Sequence, residues 1–205
     1  MQTGMIWIYE AKKTSEGKVH HLRQVIHSDT IKDSETFADA VLVSPNGERN
    51  LYKYGALGVY QIHKPVKGNN STNKKSISQL VFPFKFRAGD GWSKTTNIEL
   101  LKALGPWEKP LPISGQIIMN YLVSNQRKKV LVGGKMFDDC IKLEGYGRGL
   151  IDGGDYLKTF EVTINEQKWF APGIGLIKYT RSEQSSERHV SPAKFEMILK
   201  KWKRI

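Results

Sequence analysis

Trp169-Phe170-Ala171-Pro172-Gly173-Ile174-Gly175-Leu176-Ile177-Lys178-Tyr179 is the stretch that decides how this chain is read. Apolar and aromatic residues flank a Pro-Gly-x-Gly core. Pro172 fixes its own φ, and the two glycines allow backbone shapes that a Cβ disfavours. Punctuation of this kind between two strand-like runs predicts a shaped β-turn or bulge, not a reactive site. The stretch therefore speaks for an architecture of strands and turns.

Working outward, the same grammar recurs. Met5 to Ala11 alternates around Trp7 and Tyr9, and Val19 to His27 alternates less cleanly; both predict strands. Val41-Leu42-Val43, the turn Pro45-Asn46-Gly47 and Leu51 to Tyr54 predict a hairpin, and Gly58 to His63 continues the meander. Lys64 to Ser78 is polar and basic and predicts a loop. Leu80 to Phe86 is interrupted by Pro83, which cannot donate to a ladder, so it predicts an edge, a bulge or a strand start. Further strands are expected over 116–124, 129–133, 136–144, 156–164, 167–170 and 174–181, with the glycine-rich run Gly145 to Gly154 as a long hairpin loop.

Two helices are expected. Thr96-Asn97-Ile98-Glu99 fits a capping box and Gly105-Pro106 a stop, which predicts a short helix from Asn97 to Leu104. Ser191-Pro192 offers an N-cap and a first-turn proline. Phe195, Ile198, Leu199 and Trp202 then fall at helical spacing, predicting a basic amphipathic helix at about 191–204. It would pack on the sheet, or dock on a membrane or partner.

Composition suits one β-rich domain spanning 1–205. There are 19 Gly, 8 Pro and 21 aromatics, and the chain is long enough for a real core. The charge is 32 − 20 = +12, spread along the chain. That suits polyanion binding or simply a soluble lysine-rich surface. The candidate polyanion contacts are Lys74, Lys75, Arg127, Lys128, Lys129, Lys200, Lys201, Lys203 and Arg204. Cys140 is the single cysteine, so no intrachain disulfide can form, and it reads as a buried small hydrophobe. No run approaches the ~20 apolar residues of a membrane-spanning helix. MQTGMIWIYEAKK lacks the basic-then-apolar order of a signal peptide.

Chemistry is poorly signposted. His20 and His21 are adjacent, so on a strand they face opposite ways, as do Asp138 and Asp139. No CxxC, HExxH or GxSxG occurs, and the run from Gly145 matches neither phosphate-binding glycine pattern. No catalytic residue, metal site or cofactor is expected.

Several dispersed motifs together carry a resemblance. They are Ile6-Trp7-Ile8-Tyr9, Phe82-Pro83-Phe84-Lys85 with Gly89-Asp90-Gly91-Trp92, Gly134 to Leu143, and Trp169 to Lys178. This order resembles a group of uncharacterised bacterial exported proteins and lipoproteins, similar to the LolA-like lipoprotein folds. The resemblance implies a single strongly curved antiparallel sheet, a half-barrel, covered on its concave face by a helix or loop. It also implies a periplasmic or envelope location and non-enzymatic binding.

The leading expectation is therefore an envelope-associated binding or assembly protein that engages a partner protein or apolar ligand through the concave face of the sheet. Its candidate contacts are Trp7, Trp92, Trp169, Phe195, Ile198, Leu199 and Trp202. The alternative is a polyanion binder, for nucleic acid or an anionic surface, in which case a cytoplasmic location is open. An enzyme is the third class and is disfavoured, because no nucleophile or acid–base set converges.

Overall fold

A computed structural model of the chain describes residues 4–15, 18–29, 38–43, 49–63, 77–99 and 113–204. The strands are β1 (Met5–Ser15), β2 (Lys18–Asp29), β3 (Ala40–Val43), β4 (Arg49–Tyr54), β5 (Gly58–His63), β6 (Ile77–Pro83), β7 (Gly91–Asn97), β8 (Gln116–Val132), β9 (Lys135–Asp152), β10 (Thr159–Ala171), β11 (Gly175–Ser185) and β12 (Ala193–Arg204). A single helical turn, α1 (Gly154–Leu157), links β9 to β10. The hydrogen-bonded order is β6-β5-β4-β3-β2-β1-β12-β11-β10-β9-β8-β7, with β6 and β7 at the two ends of the order. Hairpin follows hairpin from β2 to β6 and from β7 to β12, and the pairs within both runs are antiparallel.

The chain divides into two compact units. Unit 1 holds Met1–Ile8, Gln24–Phe86 and Trp202–Ile205; unit 2 holds Tyr9–Arg23 and Arg87–Lys201. In unit 1, Met5, Trp7, Ala40, Val41, Leu51 and Val59 are buried. Ser28, also buried, accepts the Met5 amide at 2.9 Å. Pro83 closes the end strand β6, where a missing N–H costs no ladder bond.

In unit 2, the Pro172-Gly173 stretch forms the turn between β10 and β11. Gly173 (φ 70°) and Gly175 (φ 101°) supply the left-handed backbone, and a register shift sits between Trp169 and Phe170. Gly133 (φ 57°) and Gly134 (φ 81°) make a two-residue turn between β8 and β9, the left-handed pair a tight hairpin demands.

Three expectations are corrected. The C-terminal segment is strand β12, not a helix at 191–204. Ala193, Met197 and Leu199 are buried, with Phe195 among them, while Lys194, Glu196, Ile198 and Lys200 point the other way. The spacing 195, 198, 199, 202 satisfies helical periodicity but also two interleaved strand faces. Pairing with β11, from Lys178↔Ile198 to Glu183↔Ala193, selects the strand.

The run from Gly145 is not a loop either. It continues β9 to Asp152. Gly145 and Gly147 stand opposite Tyr121 and Met119 on β8. A Cβ at Gly145 would lie 2.7 Å from the Tyr121 ring, and one at Gly147 2.5 Å from Met119 Sδ. The glycines leave space over β9 for the large side chains of β8, so here glycine is a packing residue in a strand.

At the expected helix over 97–104, Asn97 ends β7 and residues 98 and 99 are not helical; the remainder lies outside the described residues. The turn at Pro45-Asn46-Gly47 and most of the 64–78 loop also lie outside them, though β3 and β4 pair as expected.

Unit 2 bends strongly. Arg181 on β11 donates to Thr96 Oγ1 on β7 at 3.2 Å and to the Asn97 carbonyl at 2.7 Å. Four strand spacings separate β7 from β11, ~19 Å along a flat sheet, which no arginine can span. The bend gives unit 2 an inner face. One end of that face is apolar: Ile98, Ile113, Ile117, Met119, Ile151, Leu157, Phe160, Val162, Ile164, Val190 and Ala193 form one buried cluster. Burying each such isoleucine contributes about 1.5–3 kcal/mol.

Candidate functional site

One row of paired residues crosses the inner face of unit 2, from Trp92 through Tyr121, Gly145, Glu166 and Arg181 to Phe195. Alternation places it there. Glu166 has the same parity on β10 as the buried Val162 and Ile164, and Arg181 the same parity on β11 as the buried Ile177. Glu166 (3% exposed), Arg181 (6%) and Glu183 (0%) are charged groups inside the unit, so each must be paired.

They are densely paired. Arg181 Nη1 lies 2.6 Å from Glu166 Oε1, and Lys168 Nζ lies 2.7 Å from Glu166 Oε2. The Tyr121 and Tyr179 hydroxyls donate to the same carboxylate at 2.6 and 2.9 Å. Arg181 Nε donates to Glu183 Oε1 at 2.7 Å, and the Glu99 amide donates to that oxygen at 3.2 Å.

These contacts set the protonation states. Burial alone would raise the Glu166 pKa, but Lys168 and Arg181 reverse that and hold it well below the usual carboxylate range. Burial, reinforced by Glu166, pushes the Tyr121 and Tyr179 phenols far up, so both stay neutral donors. A carboxylate that accepts from four partners and resists protonation is a poor general base.

Lys94 differs from the others. It stands on β7 opposite Met119, half-buried, with its ammonium 5.5 Å from the Tyr121 ring centre. Burial, and then repulsion from Lys168 and Arg181, lowers its pKa to about 8, with Glu166 opposing. No carboxylate lies within ion-pair distance of it among the described residues. Lys168 lies 5.1 Å from the Tyr121 ring and 5.0 Å from the Tyr179 ring. Trp92 stacks on Tyr121 at 5.5 Å and 15°, and Phe195 meets Tyr179 at 5.7 Å. Lys94, Lys168 and Arg181 against Glu166 and Glu183 sum to 3 − 2 = +1. Trp92, Lys94, Lys168, Tyr179 and Phe195 are all half-buried, so the aromatic and cationic edge of the row reaches solvent. Chemically this suits an anion carrying a flat or apolar body.

The expected contact residues are dispersed. Trp92 and Phe195 reach the inner row of unit 2. Leu199 is 1% exposed, inside the core, where no ligand touches it without local opening. Trp169 and Ile198 point to the opposite face, where Lys142 and Lys178 sit 5.3 and 5.4 Å from the Trp169 ring. Trp7 is buried and Trp202 half-buried in unit 1.

Of the polyanion set, Lys74 and Lys75 and the Arg127 side chain lie outside the described residues. Lys128, Lys129 and Lys201 are exposed and Lys200 half-buried in unit 2; Lys203 and Arg204 are exposed in unit 1. Cys140 is buried, and burial with Asp138 and Asp139 raises its thiol. No group of three metal-ligating side chains occurs among the described residues.

Sequence reasoning missed Lys94, Tyr121, Glu166, Lys168, Tyr179, Arg181 and Glu183. The available signal was parity: counting in twos from Val162 reaches Glu166, and from Ile177 reaches Arg181 and Glu183. The inner face expected to be apolar is apolar only at one end.

No family model matches the chain, and no curated protein matches it. Among solved structures, a protein described as a "putative lipoprotein" from Parabacteroides distasonis ATCC 8503 is similar, with a TM-score of 0.40 and 12% identity over 98% of this chain and 96% of that one.

Proposed function

We propose that this chain is a non-enzymatic, envelope-associated binding protein that holds an acidic ligand with an aromatic or apolar body on the inner face of unit 2. The half-barrel expected from the motif resemblance supplies the frame. The observation that carries the reading is Lys94, an ammonium laid on Tyr121 beside Trp92 with no carboxylate partner within ion-pair distance among the described residues. A ligand carboxylate or phosphate there satisfies the surplus charge, and its body stacks on Trp92 or Phe195. The buried ion pairs beneath set the position of Tyr121 and Tyr179. The ligand's acidic group narrows the broader expectation of an apolar ligand or a partner protein.

Calorimetric titration with 1-naphthoate, and with the neutral 1-naphthylmethanol as control, tests this. Naphthoate binding weakened at least roughly tenfold by Lys94→Met, with the neutral probe unaffected, is the expected result. Equal binding of both probes, or no effect of the substitution, refutes it. A borohydride-trapped Lys94 adduct with a carbonyl substrate would overturn the non-enzymatic part, because an amine of pKa about 8 is also fit for Schiff-base chemistry.

Polyanion binding remains the second reading, supported by the exposed Lys128, Lys129 and Lys201. It requires retention on heparin that falls steeply with salt and is indifferent to Lys94.

A further inference from the structure

Val132 and Phe137, 3% and 4% exposed, anchor the tip of the β8–β9 hairpin, and Gly133 and Gly134 turn it tightly. On the other side of the same hairpin Leu131 and Met136 are cross-strand partners, and they are 65% and 59% exposed. Two large apolar side chains at adjacent positions of a firmly held tip present an unpartnered wedge. Lysines surround it. Lys128, Lys129 and Lys135 lie on the hairpin and are exposed. A Cβ at Gly133 would sit 2.9 Å from the Leu199 carbonyl and 3.6 Å from Lys200 Cδ, which places Lys200 and Lys201 of β12 beside the turn. Against these five cations stand Asp138, which pairs with Lys129 at 3.4 Å, Asp139, and Glu10, which pairs with Lys200 at 2.8 Å.

We propose that this hairpin tip docks the protein on an anionic membrane surface. Leu131 and Met136 enter the boundary between headgroups and acyl chains, and the surrounding lysines face the anionic headgroups. Size decides between a bilayer and a protein partner. A specific protein interface needs about 800 Å² from each side, which two side chains do not approach. Interfacial anchoring needs only a small apolar insertion backed by cations, each basic residue near an anionic surface adding to the attraction. The docking is therefore reversible and salt-sensitive, and it is independent of the inner face.

Co-sedimentation of the full chain with vesicles tests the proposal, using phosphatidylcholine alone and phosphatidylcholine mixed with phosphatidylglycerol. The chain is expected to sediment with the mixed vesicles and poorly with the neutral ones. The double substitution Leu131→Ser, Met136→Ser removes only exposed groups and should weaken partitioning roughly tenfold. Lys128→Gln, Lys129→Gln, Lys201→Gln should abolish the preference for anionic lipid with the fold intact by circular dichroism. Undiminished sedimentation of the double variant, equal partition onto both vesicle types, or no sedimentation with either overturns the proposal. So does a shift in oligomeric state on removing Leu131 and Met136 without any vesicle binding, which would make the tip a protein contact.

Discussion

Strands β8 to β12 carry two ladders of charged and aromatic residues, one on each face. The inner ladder joins Tyr121, Glu166, Lys168, Tyr179, Arg181 and Glu183; the outer one joins Glu144, Lys142, Trp169, Lys178 and Glu196. Their chemistry is nearly the same. Their surroundings are not: Arg181 and Glu166 are 6% and 3% exposed, whereas Lys178 and Glu196 are 31% and 43% exposed. Water screens the outer pairs and substitutes for any partner that is lost, so each contributes little. The inner pairs have no such substitute. Their value lies less in net stability than in the cost of breaking them.

The comparison is open to direct attack. Arg181→Ala strips Glu166 and Glu183 of their shared cation and should cost about 3–5 kcal/mol by urea denaturation. A loss below about 1 kcal/mol would put the inner ladder on the same footing as the outer one. Glu166→Gln should cost about 2–3 kcal/mol, and it adds a pH signature. The native pKa of Glu166 is depressed below 4.5, so its contribution is complete above that value and fades as pH falls beneath it. Acid denaturation of the wild type should therefore steepen below about pH 5, and the Gln variant should show a shallower acid limb. Identical acid limbs would mean that Glu166 is not held as a carboxylate by Lys168 and Arg181.

Gly147→Ala, on the inner face of β9, should cost about 1–3 kcal/mol by thermal melting, because the new methyl meets Met119 Sδ, Ile117 Cγ2 at 2.9 Å and the Ile118 carbonyl at 3.0 Å. A neutral result would show that Met119 swings aside freely. Lys178→Ala on the outer ladder is the smallest effect, under about 1 kcal/mol, and should shrink further in high salt.

Much of the sheet was legible along the chain. The turn at Pro172-Gly173 and the strand pair around Pro45-Asn46-Gly47 followed from φ preferences, and the missing donor of Pro83 left an edge, a bulge or a strand start, of which the structure selects the end strand. Two features escaped for physical reasons. Phe195, Ile198, Leu199 and Trp202 fit two periodicities, and only the neighbouring strand decides between them. Glycines at 145, 147 and 149 look like a loop until the bulk of Ile117, Met119 and Tyr121 next door is known. For the inner ladder two signals conflict: parity counted from Val162 puts Glu166 inside, parity counted from Trp169 puts it outside, and Trp169 in fact lies outside with the carboxylate inside. The Glu166 carboxylate turns inward where Lys168 of its own strand and Arg181 of the next meet it, and the second meeting belongs to tertiary structure.

The alternation along β9 has a further effect on which pairings the nascent chain can accept. Alternating with the small residues 145, 147 and 149 are Tyr146, Arg148 and Leu150. Sliding β9 by a single position against β8 would drive these bulky groups into the room occupied by Met119 and Tyr121, so the mis-threaded hairpin is rejected by volume alone. The strand thus acts as its own ruler, keeping Gly145 opposite Tyr121 and Gly147 opposite Met119.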